Sequence, residues 1–437
     1  MADELPEASL QESHEGQAGG LEVNLQKETE VFERYDLFLE LGLQWPALTV
    51  DWLMDDASEQ CAKLVFATQT DGSEPCRVVV AELTCLTDRR PTSHETWSSW
   101  DMRTLCTQSA AESSEVLHGC RSFGVKPLRR AKAPLRMAAC MEVDEVDGDV
   151  NRVAACPLRR QVIAARSSRG TVTLLDYKQV TSDSGGFLCS FRYPREDTDG
   201  FALAWCPKHR ALLGTGGNDG SLSVWDTVSR SPDRPLFALV AHEGSLNDLS
   251  FSPCSLSVAT AGEDGICTWD MRQGYTKMLQ IATKAESFSI DWNPTEDHLL
   301  AVGGKGHMVQ VWDLRRCQAP LRELCGHKGD VSQLQWCPSE SACPKGTSSK
   351  NLLASSSQDG TAVVWNLSEA NHGTEPNVDE AQALETETLF IHSAHKGSVT
   401  DLSWCRSGRL LLCSVSEDYS VQVWQPSLHT VTADEEE

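Results

Sequence analysis

Three histidines stand at matching places in this sequence, each followed by an aspartate and a tryptophan: His242 with Asp264 and Trp269, His327 with Asp359 and Trp365, His395 with Asp418 and Trp424. A histidine beside a carboxylate can act as a general base held in place by its partner. Met once, the pair would suggest proton-transfer or hydrolytic chemistry. It is met three times, always inside the same longer phrase, so it reads as part of how the chain is built. No nucleophile, phosphate loop or metal set stands outside that phrase. Gly303 to Gly306 (GGKG) resembles a phosphate loop but lies in a hairpin, not between strand and helix. The chain is therefore read as no enzyme, with no catalytic residues, no cofactor and no metal.

The phrase is a glycine and acidic turn, then alternating apolar residues, then Trp-Asp or a near copy. Its copies are GGNDGSLSVWD, GEDGICTWD, GGKGHMVQVWD, SQDGTAVVWN and SEDYSVQVWQ, with tryptophans at 225, 269, 312, 365 and 424, in steps of 44, 43, 53 and 59 residues. Ahead of the phrase come an alternating strand, such as Ser245 to Pro253 or Val399 to Cys405, and a small-residue strand, such as Ser257 to Gly262. The Asp-Gly pair makes a tight hairpin. A Trp-Asp ending with a period of roughly 40–45 residues is the mark of WD repeats, which form a β-propeller. The WD pattern joins each His to the turn Asp and the strand Trp in a buried hydrogen-bond network, which favours a single packing.

Weaker copies precede these at residues 46–83 and 150–177, the second with Leu175-Asp176 in place of Trp-Asp. Seven leading strands result, near Leu48, Val153, Ala202, Leu249, Ile290, Leu334 and Leu402. A closed ring leaves no free sheet edge, so Leu37 to Leu43 is expected to complete the last blade and lock the ring. The fifth blade lacks the His and has Lys305 at the turn Asp, and is expected to be the least rigidly specified. The expected fold is all-β: a seven-bladed WD-repeat β-propeller with an N-terminal α-helix. The helix is assigned to 23–36 and the propeller to 37–427, with an acidic insertion at 368–388. Residues 1–22 form a disordered acidic N-terminus and 428–437 an acidic tail.

The net charge is −25, which suits a basic partner and disfavours direct nucleic-acid binding, since phosphates need a positive footprint. No apolar run is long enough to span a membrane. The 17 cysteines include no Cys-x-x-Cys pair. Several, at 206, 254, 267, 337, 405 and 413, read as small buried apolar residues in a reducing compartment. Lys126 to Arg136 is a basic run that suits either a nuclear import signal or a solvated loop. The stretch from Thr84 to Asp147 joins the first two blades and carries no legible motif.

Two segments break the repeat. In Asn24 to Leu37, Val31, Phe32 and Tyr35 fall near helical spacing among charges. The insertion from Ser368 carries Asp379 and Glu380 among other acids and leads to the apolar pair Phe390-Ile391. By itself it reads as a disordered acidic loop. Because the N-terminal strand closes the last blade, helix and loop are expected to be neighbours, forming a groove for a basic amphipathic helix.

Tyr35 to Leu53 (YDLFLELGLQWPALTVDWL) and Leu389 to Gln425, with its Phe-Ile-His-x-x-His and Ser-Val-Ser-Glu-Asp, resemble the histone-binding WD-repeat proteins, which include the retinoblastoma-binding proteins and the small subunit of chromatin assembly factor 1. The resemblance covers most of the chain outside Thr84 to Asp147. It implies that a helix of histone H4 binds between N-terminal helix and acidic loop. Phe390 and Ile391 would be the apolar floor, Asp379 and Glu380 the partners of arginine, and Val31, Phe32 and Tyr35 the opposite wall. It also implies a basic-peptide site at the channel mouth, at Asp149, Asn151, Arg152, Asp199, Phe201, Asp330 and Glu417, where acids would grip Arg and Lys. Asn247, Phe288 and Ser332 depart from the pattern there, as do Glu33-Arg34 in the helix. The implied function is a nuclear histone-binding scaffold, with some cytoplasmic protein. It would bind H4 and H3–H4 and join chromatin assembly, deacetylase, methyltransferase or remodelling complexes. The alternative is a WD-repeat adaptor of a ubiquitin ligase or ribosome-assembly complex without histone contact.

Overall fold

A computed structural model describes residues 35–53, 61–72, 75–84, 135–143, 148–180, 186–192, 199–209, 212–228, 234–272, 274–338, 348–368, 387–406 and 410–427. Alternating apolar runs between Gly, Asp and Ser turns give a first strand, β1 (Tyr35–Gly42), and then seven blades. The first blade is β2 (Ala47–Leu53), β3 (Cys61–Thr68), β4 (Arg77–Thr84) and β5 (Leu135–Glu142). The second is β6 (Val150–Ala155), β7 (Val162–Ser167), β8 (Thr171–Asp176) and β9 (Phe187–Arg192), and the third β10 (Leu203–Trp205), β11 (Leu212–Gly216), β12 (Ser221–Asp226) and β13 (Phe237–Val240). The fourth is β14 (Leu246–Phe251), β15 (Ser257–Gly262), β16 (Gly265–Asp270) and β17 (Thr276–Ile281), and the fifth β18 (Ser287–Trp292), β19 (Leu299–Gly304), β20 (Met308–Asp313) and β21 (Arg322–Cys325). The sixth is β22 (Val331–Trp336), β23 (Leu352–Ser357), β24 (Ala362–Asn366) and β25 (Thr388–His392). The last is β26 (Val399–Trp404), β27 (Leu412–Ser416) and β28 (Ser420–Pro426), completed on its outer edge by β1.

All sheets are four-stranded and antiparallel. The ring closes as the sequence leads one to expect: Phe38 of β1 faces Trp424 of β28, and Leu41 faces Val421. The core lies between neighbouring blades, where Trp52, Trp225, Trp365, Trp404 and Trp424 are fully buried.

Two further ties hold blade to blade. Tryptophans that end inner strands donate their indole N–H to the preceding inner strand: Trp52 to the Ser403 carbonyl at 3.0 Å, Trp205 to Ala154 at 3.0 Å, Trp336 to Asp291 at 3.2 Å and Trp404 to Gln335 at 3.0 Å. Channel-lining side chains then accept backbone N–H groups of the next blade. Asp51 takes Ala155 N at 2.9 Å, Asp248 takes Ile290 N at 3.1 Å, Asp291 takes Trp336 N at 2.8 Å, and Asp401 takes Val50 N at 2.9 Å. These bonds satisfy inner-strand donors that face the channel rather than a neighbouring strand.

Some expectations are corrected. Tyr35 and Asp36 belong to β1, not to a helix, because pairing of Tyr35 with Pro426 extends the last blade to this point. Helix positions 23–34 lie outside the described residues, as do 1–22 and 428–437. The stretch from Thr84 to Asp147 is not merely a joining segment: it contains β5, the outer strand of the first blade, which pairs with β4. Phe390 and Ile391 are not part of a loop before the last blade. They lie in β25, opposite Val364 and Val363 of β24. Cys254 is exposed, whereas Cys206, Cys267, Cys337, Cys405 and Cys413 are buried; it falls in the turn after β14, where no neighbouring blade covers it.

Candidate functional site

The three histidine networks form, with one participant the spacing alone does not name. His242 Nε2 meets Thr260 Oγ1 at 2.8 Å, and Trp269 Nε1 donates to the same hydroxyl at 3.2 Å. His327 and Trp365 share Ser355 at 2.7 and 2.8 Å, and His395 and Trp424 share Ser414 at 2.8 and 3.1 Å. On the other ring nitrogen, His242 meets Asp264, and His395 meets Asp418 at 3.3 Å. His327 instead bonds Thr361 Oγ1 at 3.2 Å, with Asp359 at 3.6 Å. Burial is the largest influence on the Asp359 and Asp418 carboxyls and opposes ionisation. Hydrogen bonds from the histidine, hydroxyl and backbone groups outweigh it and hold both well below the ordinary range. These groups are saturated by one another, so they build blades and do no chemistry. The hydroxyl was legible: Thr260, Ser355 and Ser414 all sit in the small-residue strand, directly across from the strand that carries the Trp. The fifth blade has Val302 at that place, and Trp312 turns to Gln310 Oε1 at 3.3 Å instead.

The first candidate site is the seam between the sixth and last blades. It carries Tyr35 and Phe38 from β1, Leu389, Phe390 and His392 from β25, and Trp424 from β28. The Phe390 ring stacks on Trp424 (5.7 Å, 26°) and meets Tyr35 edge-on (5.1 Å, 76°). His392 lies flat on Trp424 at 4.4 Å. Burial, then the nearby His395, pushes the His392 imidazole well below its usual range, so it is neutral. Successive strand residues face opposite ways. Phe390 therefore turns into the seam, half-buried, while Ile391 is left 47% exposed. Burial pushes the nearby Glu387 carboxyl up, although Arg322 lies 3.8 Å away. Thus Tyr35 and Phe390 are brought together, 355 residues apart in sequence. Val31, Phe32, Asp379 and Glu380 lie outside the described residues. His392, Trp424 and Phe38 were not among the site residues read from the sequence; Trp424 was read as structural only.

The second candidate is the channel mouth. Asp149, Asp199, Phe201 and Asp330 precede the inner strands of their blades and Glu417 lies in the last hairpin turn, so the topology gathers them at one end. Phe201 and Glu417 are exposed. Others are engaged within the protein. Asn151 is buried and donates to Asp199 Oδ1 at 2.6 Å and to the Gly200 carbonyl at 3.2 Å. Asp149 accepts from Cys76 Sγ at 3.2 Å. Asp330 accepts from Gly306 N at 3.3 Å and lies 3.4 Å from His307. Arg152 reaches inward to Asp401 at 3.4 Å. At the departing positions, Asn247 donates to Glu286 Oε1 at 3.1 Å, and Lys305 bridges Glu286 at 2.6 Å while lying over the Phe288 ring at 5.8 Å.

Comparison with known proteins bears on the seam. Residues 28–87 match the family described as histone-binding protein RBBP4 or its counterpart in the CAF1 complex, a span that begins before β1 and ends just past β4. The WD domain, G-beta repeat, matches at 197–226, 233–270, 318–366 and 386–425. The chain belongs with the histone-binding WD-repeat proteins. Among its relatives, it is 23% identical over 97% of its length to the Candida glabrata protein named histone acetyltransferase type B subunit 2, covering 92% of that protein. A Kluyveromyces lactis protein of the same name is 25% identical over 90% of the chain and 89% of its own length. The Arabidopsis thaliana protein named WD-40 repeat-containing protein MSI3 is 25% identical over 92% of the chain and 88% of its own length. In this histone-binding WD-repeat protein, the repeat matches from 233 onward each take the outer strand of one blade with three strands of the next. The unmatched 271–317 covers β17 to β20, where the His, the turn Asp and the bridging hydroxyl are missing.

Proposed function

We propose that this chain is a non-catalytic scaffold subunit that binds histones, taking a helix of histone H4 along the seam and carrying H3–H4 to chromatin assembly, remodelling or modifying complexes. The observation that most supports this is the overlap of the histone-binding family match with β1, whose Tyr35 packs edge-on against Phe390. In this reading the apolar face of the helix meets Phe390, Ile391 and Tyr35, with Val31 and Phe32 opposite. Asp379 and Glu380 pair with arginine, and the net charge of −25 draws the basic partner in. The exposed Phe201 and Glu417, with Asp149, Asp199 and Asp330, serve as a second place for a basic tail. Work in the nucleus, with some protein in the cytoplasm, accords with this role. The family match and the relatives favour it over the adaptor reading.

The test is binding of a labelled peptide of the first H4 helix across a salt series. Wild type is expected to bind, with affinity falling as salt rises. Phe390→Asp combined with Ile391→Asp is expected to lower affinity by about 100-fold or more, as loss of a central apolar anchor does. An unchanged affinity in the double variant, or no binding by wild type, would overturn the reading.

A further inference from the structure

Tyr35 is the last described residue of the N-terminal segment before the chain enters the propeller, and what fixes it decides how the seam is shaped. Its hydroxyl lies 2.9 Å from His392 Nδ1. His392 Nε2 lies 2.8 Å from Gln422 Oε1. An amide oxygen only accepts, so Nε2 carries the ring proton. In the neutral ring Nδ1 is then the acceptor, and the Tyr35 hydroxyl donates to it. The series continues inward. Gln422 Nε2 donates to Ser420 Oγ at 3.4 Å, and Ser420 Oγ donates to Asp418 Oδ1 at 2.6 Å. Asp418 is bound to His395, which shares Ser414 with Trp424, the ring on which His392 is stacked. His392 is itself wholly buried. One end of this chain of bonds is therefore anchored in the last blade's own hydrogen-bond network, and the other end is a surface tyrosine.

We propose that His392 is the positioning residue of the seam: it holds Tyr35 by the hydroxyl, so that the Tyr35 and Phe390 rings present one preformed wall to an incoming apolar helix. His392 does not touch the ligand. It fixes a side chain that would otherwise rotate about χ1, which cuts the ordering cost of binding. The last blade thereby sets the geometry of a wall that β1 supplies. This rests on the histone-binding reading for its ligand, but not for its geometry.

Two measurements on the full chain test it. The first is the ring-nitrogen NMR spectrum of His392. Nδ1 is expected to be unprotonated and hydrogen-bonded, and Tyr35→Phe, which keeps the ring and removes only the donor, is expected to shift it. A protonated Nδ1, or a signal that Tyr35→Phe leaves in place, overturns the proposal. The second is affinity for the H4 first-helix peptide. Tyr35→Phe is expected to weaken it by about 3- to 10-fold, the usual worth of one hydrogen bond, while the melting temperature falls by only a few degrees. Wild-type affinity in Tyr35→Phe, where wild type binds, also overturns it. Failure of wild type to bind would instead sink the histone reading, and the NMR measurement alone would then decide whether His392 holds Tyr35.

Discussion

Phe390 at the seam and Arg152 at the channel mouth are both singled out by the sequence, and they end in opposite settings. Phe390 is half-buried between Trp424 and Tyr35, and its neighbour Ile391 is left uncovered. Arg152 turns inward, where Asp401, Asp248, Asp51 and Asp291 surround it. Seam side chains are supported from below and open above. Several mouth side chains are already partners of one another. An aromatic surface can be held by stacking and still offer area, whereas a charge that has found its counter-ion in a low-dielectric channel has little left to offer a ligand. The seam is thus built to bind, and much of the mouth is built to hold blades.

If that contrast is right, mouth substitutions should be felt first in stability, and seam substitutions first in binding. The largest loss is expected from Asp401→Ala. It strands Arg152 and removes the acceptor of Val50 N, and breaking a buried pair from one side costs about 3–5 kcal/mol. Urea unfolding would read this, and a change below about 1 kcal/mol would refute the internal role.

Next is pH. Burial pushes the Asp291 carboxyl up to about 7, above its unfolded value of 3.8. The folded state therefore holds this proton more tightly than the unfolded state. The favourable contribution is complete below pH about 4 and is lost as pH rises through about 7, a change on the order of 2–4 kcal/mol. Asp291→Asn keeps an acceptor for Trp336 N and should flatten the stability curve across that window. An unaltered slope would count against a neutral carboxyl there.

At the seam, Ile391→Asp alone should leave stability within about 1 kcal/mol of wild type, because its side chain is largely outside. It should still weaken the H4 peptide by about tenfold or more. An intact affinity would confine the contact to the Phe390 face of β25. Smallest is Glu417→Gln. It is exposed, so stability should move by no more than about 0.5 kcal/mol. Affinity for a basic peptide at the mouth should fall by a few-fold at low salt and hardly at all at high salt.

Much of the ring was legible because its signals are local. A turn Asp, a Gly with positive φ such as Gly360, and a Trp two residues beyond a strand midpoint repeat within short windows. The fifth blade was legible as the exception from Lys305 alone, and Trp312 has indeed lost the hydroxyl partner its counterparts have. β5 was missed because the charged Lys126 to Arg136 run reaches into it and no turn motif announces it. The strand character of Tyr35 was missed because Val31, Phe32 and Tyr35 fit helical spacing as well as anything nearby, and the pairing that overrides it comes from Pro426 at the far end of the chain.

By itself, then, the sequence determined the propeller, its number of blades, the closing strand, the networked histidines and the acidic character that selects a basic partner. Each follows from periodicity or composition, which act within a few residues or over the chain as a whole. Only the tertiary structure decided that His392 holds Tyr35, that Phe390 and Ile391 face opposite ways from one strand, and that Arg152 is spent on Asp401. Those outcomes depend on which side chains meet across blades that are hundreds of residues apart, and burial then fixes which polar groups must find each other. No local pattern carries that information.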